Sequence, residues 1–217
     1  MTKIIPTIFT NNIADFNQLF NVYKTLSDRI QIDIAEARFA QFSTIDLPSV
    51  SVPADWKGDL DLHMMVASPS SYLPTIIKLH PSLCIFHAEC NENLLPIFEQ
   101  LSNAGIKTGV ALLKSTYPGD IKPYLQTADH ALIFGGTFGK QGAEADLLQL
   151  EKAALIKEID SNIEISWDGG AVLDNVRNIA HNNIDIINVG SALSRSQNIT
   201  EAYKALTAEV EKQGVNI

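Results

Sequence analysis

Eight short apolar runs rich in β-branched residues alternate with longer helical stretches along this chain. The runs fall at residues 4–9, 30–34, 60–66, 83–87, 108–113, 131–134, 163–166 and 184–189. Strands that alternate with helices form a parallel sheet joined by right-handed crossovers. Eight such units within 217 residues imply an α/β fold, a single closed (β/α)8 TIM barrel. With 46% hydrophobic residues the chain can bury a large core. No composition shift marks a linker, so one barrel domain over residues 1–217 is expected.

Local signals place several helices. Asn11 or Asn12 caps a helix with Ile13, Phe16, Leu19, Phe20 and Tyr23 on one face. Ser68-Pro69 opens another, carrying Tyr72, Ile76, Ile77 and Leu79. A third holds Leu94, Leu95, Ile97, Phe98 and Leu101 and ends at Gly105. A glycine-rich loop runs from Gly135 to Gly142, and the helix beyond it contains Leu147, Leu148, Leu150, Ala154, Leu155 and Ile156. The last helix covers about residues 199–211. Between Glu36 and Trp56, Pro48 and Pro53 leave little room for a helix, so that crossover is expected to be irregular.

A formal net charge of −9 with no basic run argues against nucleic-acid and anionic-membrane partners. An anionic substrate would then be held by local backbone dipoles or a metal. Two cysteines, Cys84 and Cys90, in an acidic chain of this length suggest a reduced, cytoplasmic protein. The N-terminus lacks a leader's apolar stretch, and no run is long enough to span a membrane.

In such a barrel, reactive residues sit at the C-terminal ends of strands. Those positions hold Thr7, Asp33, Glu36, His63, Met65, His87, Glu89, Asp168 and Gly190-Ser191. Strand alternation puts Gln31 and Asp33 on one face, against Ile30, Ile32 and Ile34 on the other. A carboxylate pointing into a barrel is costly unless paired, metal-bound or protonated. The plain alternative for Asp33 is a structural carboxylate bonded to backbone amides. For His63 it is a satisfied core histidine. For Asp168 it is a turn aspartate. Converging from three strands, however, Asp33, His63 and Asp168 make an N/O site for a divalent ion such as zinc, manganese or iron. The sequence Asp168-Gly169-Gly170 and the Gly190-Ser191 turn suggest a phosphate cradle. Two carboxylates flanking a divalent ion suit epimerisation next to a carbonyl. One removes a proton, the ion holds the enediolate oxygen, and the other returns a proton to the opposite face.

These residues carry a resemblance to the ribulose-phosphate 3-epimerases over almost the whole chain. Pro6-Thr7-Ile8 is similar to the family's Pro-Ser-Ile/Leu opening, with Thr7 in place of a substrate-contacting serine. The stretch from Ile32 to Phe39 resembles His-x-Asp-x-Met-Asp-Gly-x-Phe, and the stretch from Leu60 to Val66 resembles Leu-Asp-Val-His-Leu-Met. Phe86-His87-Ala88-Glu89, Asp168-Gly169-Gly170 and Val189-Gly190-Ser191-Ala192 match three further motifs. The resemblance implies a metal-dependent barrel enzyme acting on ribulose 5-phosphate or a close analogue. It implies Asp33 and Asp168 as acid/base pair and metal ligands, and His63 as a further ligand. It also implies substrate or phosphate contacts from Thr7, His63, Phe138, Gly139, Gly169, Gly170, Gly190 and Ser191, and a homo-oligomer.

The departures are specific. Gln31 stands where the family has its first metal-binding histidine, so the metal is expected to bind weakly, to be a harder ion, or to be absent. Glu36-Ala37 replaces Asp-Gly, and the loop around Phe138-Gly139-Lys140-Gln141 lacks the family's proline. A non-catalytic or metal-free phosphosugar-binding barrel is therefore the second reading. A decarboxylase of the Asp-x-Lys-x-x-Asp type is disfavoured, because residues 61–65 contain no lysine.

Overall fold

The computed structural model describes residues 2–138 and 142–212. Gly139, Lys140 and Gln141 lie outside the described residues, and the expected phosphate contact of Gly139 lies there with them. The eight strands close into a barrel in sequence order: β1 (Lys3–Ile8), β2 (Arg29–Ala35), β3 (Asp59–Met65), β4 (Leu83–His87), β5 (Lys107–Leu112), β6 (His130–Phe134), β7 (Glu164–Asp168) and β8 (Ile186–Val189). All neighbours are parallel, and β8 pairs with β1. The barrel expected from the alternation is the one observed.

The crossover helices are α1 (Ile13–Tyr23), α2 (Ala37–Ala40), α3 (Leu73–Leu79), α4 (Leu95–Asn103), α5 (Lys122–Leu125), α6 (Glu151–Ile159), α7 (Val176–Ala180), α8 (Ser191–Ser194) and α9 (Ile199–Glu211). The second crossover has only the single turn α2 and a 3-10 turn at Leu47–Ser49, as Pro48 and Pro53 foreshadow. Asn12 caps α1, its Oδ1 accepting from Ala14 N at 2.8 Å and Asp15 N at 3.3 Å. Phe16, Phe20 and Tyr23 bury its inner face. Ile13, expected on that face, opens the helix and is exposed, as is Ile77 beside buried Ile76. Leu148 is also exposed, because residues Leu147–Leu150 form a 3-10 turn whose tighter period swings it away from the barrel. Among the described residues, no helix is long and apolar enough to cross a membrane.

Most apolar side chains fill the layer between barrel and helices, including Trp167, Tyr23, Phe16 and Phe98. The barrel interior is divided. Leu83, Ile85, Ala111 and Leu132 form an apolar cluster contributed by β4, β5 and β6. Thr7, Gln31, Asp33, Asp61, His63, Ser166, Asp168 and Asn188 are buried polar residues from β1, β2, β3, β7 and β8. Near the strand starts, Arg29 joins Asp61 (Nε–Oδ2 2.7 Å) to Glu164 (Nη2–Oε2 2.9 Å). Glu164 also meets His130 Nδ1 at 2.8 Å, and His130 Nε2 meets Ser166 Oγ at 2.7 Å. Burial opposes the Glu164 charge, but hydrogen bonds from His130 and Arg29 outweigh it and hold the carboxyl well below its usual range. The opposite, C-terminal end of the polar side carries the site described next.

Candidate active site

Strand alternation points Gln31 and Asp33 of β2 inward, and parallel register sets Asp33 beside His63 of β3. Asp168 is the last residue of β7. Closure of the barrel brings all four together. Gln31 Nε2 donates to Asp33 Oδ1 at 2.9 Å and to Asp168 Oδ2 at 2.6 Å. His63 Nδ1 lies 3.2 Å from the same Asp33 oxygen and 3.6 Å from the same Asp168 oxygen. All are buried. Burial, and then the Asp33 charge, push the Asp168 carboxyl up to about 7, against the pull of His63. Burial opposes a charge on His63, but the Asp33 hydrogen bond and the two carboxylates outweigh it and raise its affinity for a proton.

The donor atoms of Asp33, His63 and Asp168 lie within 4.8 Å of one another. Two carboxylates and an imidazole fit a divalent cation. Gln31 completes the set in a particular way. As placed, its N–H groups satisfy both carboxylates, while its Oε1 is buried with no partner among the described residues. Turned over, the amide would face the same two oxygens with Oε1, an arrangement that a cation among them would make favourable.

Behind His63 runs a second set of contacts. His63 Nε2 meets His87 Nε2 at 2.9 Å, and His87 Nδ1 meets Glu89 Oε2 at 3.3 Å. Glu89 Oε1 accepts from Leu113 N at 2.9 Å and from the Thr116 hydroxyl. Burial holds the His87 imidazole down at about 4 despite Glu89. The sequence places His87 and Glu89 at strand ends and in a shared motif, but gives them no role. Their signal was the Phe86-His87-Ala88-Glu89 spacing.

The pocket above the carboxylates is lined by Thr7, Asp33, Asp168, Gly169, Gly170, Asn188, Gly190 and Ser191 on its polar side. Phe9, Phe42, Met65 and Phe134 form its apolar wall. Gln31 and His63 are completely buried behind this lining. Phe138 is not on it, and packs instead against Phe39, Phe134 and His87 with centroids 5.6, 5.5 and 5.3 Å away. Thr7 Oγ1 and Asn188 Oδ1 are buried and lack partners among the described residues. Asn188 was missed by the sequence reading. Its signal was an amide at an inward position of an otherwise apolar strand.

The turn after Asp168 is tightly set. Gly135 N donates to Asp168 O at 2.8 Å, and Trp167 Nε1 donates to Gly169 O at 2.9 Å. Gly169 and Gly170 adopt φ of +104° and +71°. A Cβ on Gly170 would lie 2.3 Å from Ala145 N, a backbone atom. Gly170→Ala is therefore expected to destabilise the protein by at least about 1–2 kcal/mol, from left-handed strain alone. Urea unfolding checks this, and a wild-type midpoint would refute it.

A model of the ribulose-phosphate 3 epimerase family matches residues 3–194. A ribulose-phosphate 3-epimerase of Helicobacter pylori is 24% identical over 212 residues, covering 94% of this chain and 96% of that protein. The cytoplasmic isoform of Oryza sativa is 24% identical, covering 96% and 94%. The Buchnera aphidicola enzyme is 28% identical, covering 85% and 86%. Among solved structures, 3-hexulose-6-phosphate synthase from Salmonella typhimurium superposes with TM-score 0.74 at 11% identity, covering 96% of this chain and 98% of that one. Likeness at that identity concerns the fold alone.

Proposed function

Because the chain belongs to the ribulose-phosphate 3 epimerase family, we propose that it inverts a carbon beside the carbonyl of a phosphorylated ketose. Ribulose 5-phosphate or a close analogue is the substrate. The observation that carries this reading is the pair of buried carboxylates, Asp33 and Asp168, tied to one amide nitrogen at 2.9 and 2.6 Å.

Burial, and then the charge of Asp33 beside it, favour a proton on Asp168. The ionised member takes the proton from the substrate carbon, giving an enediolate, and the protonated member delivers to the other face. Starting from the opposite epimer, the roles reverse. Thr7 and Asn188 offer their unpartnered oxygens to substrate hydroxyls. Backbone groups of Gly169, Gly170, Gly190 and Ser191 hold the phosphate, supplying the local dipoles that an acidic protein needs. Asp33, His63 and Asp168, with Gln31 Oε1, would hold a divalent ion. That ion, when bound, supplies positive charge to the substrate oxygen. An amide oxygen in place of imidazole favours manganese or iron over zinc.

The test is exchange of the C3 proton of ribulose 5-phosphate in D2O, followed by NMR, with manganese, iron(II), zinc or no added metal. Exchange in at least one condition is expected, and none in any condition overturns the proposal. The second reading, a phosphosugar-binding barrel without turnover, is favoured by the Gln31 amide satisfying both carboxylates unaided. It predicts thermal stabilisation by the sugar phosphate with no exchange. Gln31→His is expected to tighten zinc binding by about tenfold or more, the scale on which metal sites respond to changes in their ligand shell. Competition with a fluorescent chelator measures this. Unaltered zinc affinity would remove Gln31 from the ligand set.

A further inference from the structure

The contacts from His63 to Glu89 form an unbranched line of three side chains running away from the carboxylates. We infer that Glu89 is a positioning residue that acts through His87 to fix the tautomer of His63, so that His63 presents Nδ1 to Asp33 and Asp168. This rests on the proposed function only in assigning those carboxylates a use.

The inference follows from which groups can donate. A carboxylate only accepts hydrogen bonds. Glu89 Oε1 is taken by the Leu113 N–H at 2.9 Å and the Thr116 hydroxyl, leaving Oε2 to face His87 Nδ1 at 3.3 Å. His87 must therefore carry a proton on Nδ1. It is fully buried, and Phe39, Phe134 and Phe138 cover it with centroids 5.5, 6.2 and 5.3 Å away. Such surroundings disfavour a second proton on the ring. His87 Nε2 is then a bare acceptor. The 2.9 Å contact between the two Nε2 atoms needs one hydrogen, and His63 must provide it. His63 Nδ1 is left facing the carboxylates. It can lend a lone pair to an ion or, when protonated, donate to Asp33 at 3.2 Å, with no movement of the ring.

Glu89→Gln separates this role from mere packing. The Leu113 N–H requires an acceptor, so the glutamine carbonyl stays there. Its NH2 group then faces His87 Nδ1, which must become the acceptor. The His87 proton moves to Nε2, His63 Nε2 becomes bare, and the His63 proton moves to Nδ1, where it blocks an ion.

The experiment is long-range 15N–1H NMR of metal-free protein labelled at the histidine rings, paired with titration of Mn(II) alone. In the wild type, His87 is expected as the Nδ1–H form, and His63 protonated on Nε2. In Glu89→Gln the His87 proton is expected on Nε2 and His63 Nε2 is expected bare, with manganese affinity lower by about 10–100-fold. Wild-type His87 in the Nε2–H form would overturn the inference, whether or not the variant folds. Unchanged tautomers in a folded Glu89→Gln would overturn it as well. Neither readout needs substrate. Absent turnover would sink the epimerase proposal and leave this line of contacts intact, and reversed wild-type tautomers would do the opposite.

Discussion

Asp33→Asn is expected to slow epimerisation by about 10²–10⁴-fold, the usual worth of a positioned acid or base. Asp168→Asn is expected to do the same, yet the two variants will fail differently. Each keeps one carboxylate, on one side of the substrate carbon. That carboxylate still removes and returns the proton of the epimer whose C–H bond faces it. Neither variant can deliver a proton to the other face. Each is therefore expected to wash deuterium into one epimer only, and the two variants should choose opposite epimers. Proton NMR in D2O, begun separately from ribulose 5-phosphate and from its C3 epimer, reads this directly. Equal exchange of both epimers in either variant would rule out a two-carboxylate mechanism. Asparagine keeps the shape and an acceptor oxygen, so the bond from Gln31 survives and the comparison isolates proton transfer.

The largest expected loss of stability lies at the other end of the barrel. Arg29→Met is expected to cost about 3–5 kcal/mol, because it strips the partner from a buried carboxylate. Asp61 has only 3% of its side chain exposed, and Arg29 Nε sits 2.7 Å from its Oδ2. Its Oδ1 has no partner among the described residues. Methionine would fill the space of the arginine stem without its charge. For a domain of this size the loss corresponds to a fall in Tm of roughly 10 °C. The deficit should also depend on pH. Burial already pushes Asp61 up to about 7 with Arg29 in place, and removing the guanidinium pushes it higher. A carboxyl whose folded pKa is raised penalises the fold above that pKa and ceases to do so as it protonates. Glu164, held low in part by Arg29, loses its stabilising effect in wild type as pH falls through the carboxylate range. Both effects shrink the deficit on acidification. Unfolding at pH 8 and pH 5 is expected to show the variant closer to wild type at pH 5, and Asp61→Asn in the same background should recover part of the loss. A deficit below about 1 kcal/mol, or one indifferent to pH, would mean that the pair contributes as little as a surface ion pair.

The barrel was legible because its cause is local. β-branched runs, proline and glycine boundaries and helix caps each report on a few neighbouring residues. The inward direction of Gln31 and Asp33 followed from alternation alone. The errors in the helices were local too. Leu148 lies in a 3-10 turn rather than on a helical period, and Ile13 opens its helix exposed, three positions before the first buried residue, Phe16. The site was legible only as a set of candidates. Gln31 and Asp168 are 137 positions apart, and only closure of the barrel brings the amide to 2.6 Å from that carboxylate. Nothing periodic reports such a distance. The same holds for Arg29 with Glu164, 135 positions apart, and for His63 with His87. Asn188 shows how a clue is lost. One amide among isoleucines resembles a tolerated defect until its neighbour in register proves to be Asp168.

The Gln31 amide also bears on how such a protein would endure shortage. A site built from charges alone springs apart, or takes up protons, when its ion is stripped by a chelator or lost to oxidation. Here an uncharged group also donates to both acids directly and holds them together. Should an ion bind there, the carboxylates would already lie in register before it arrived, and only one side-chain terminus would need to rotate.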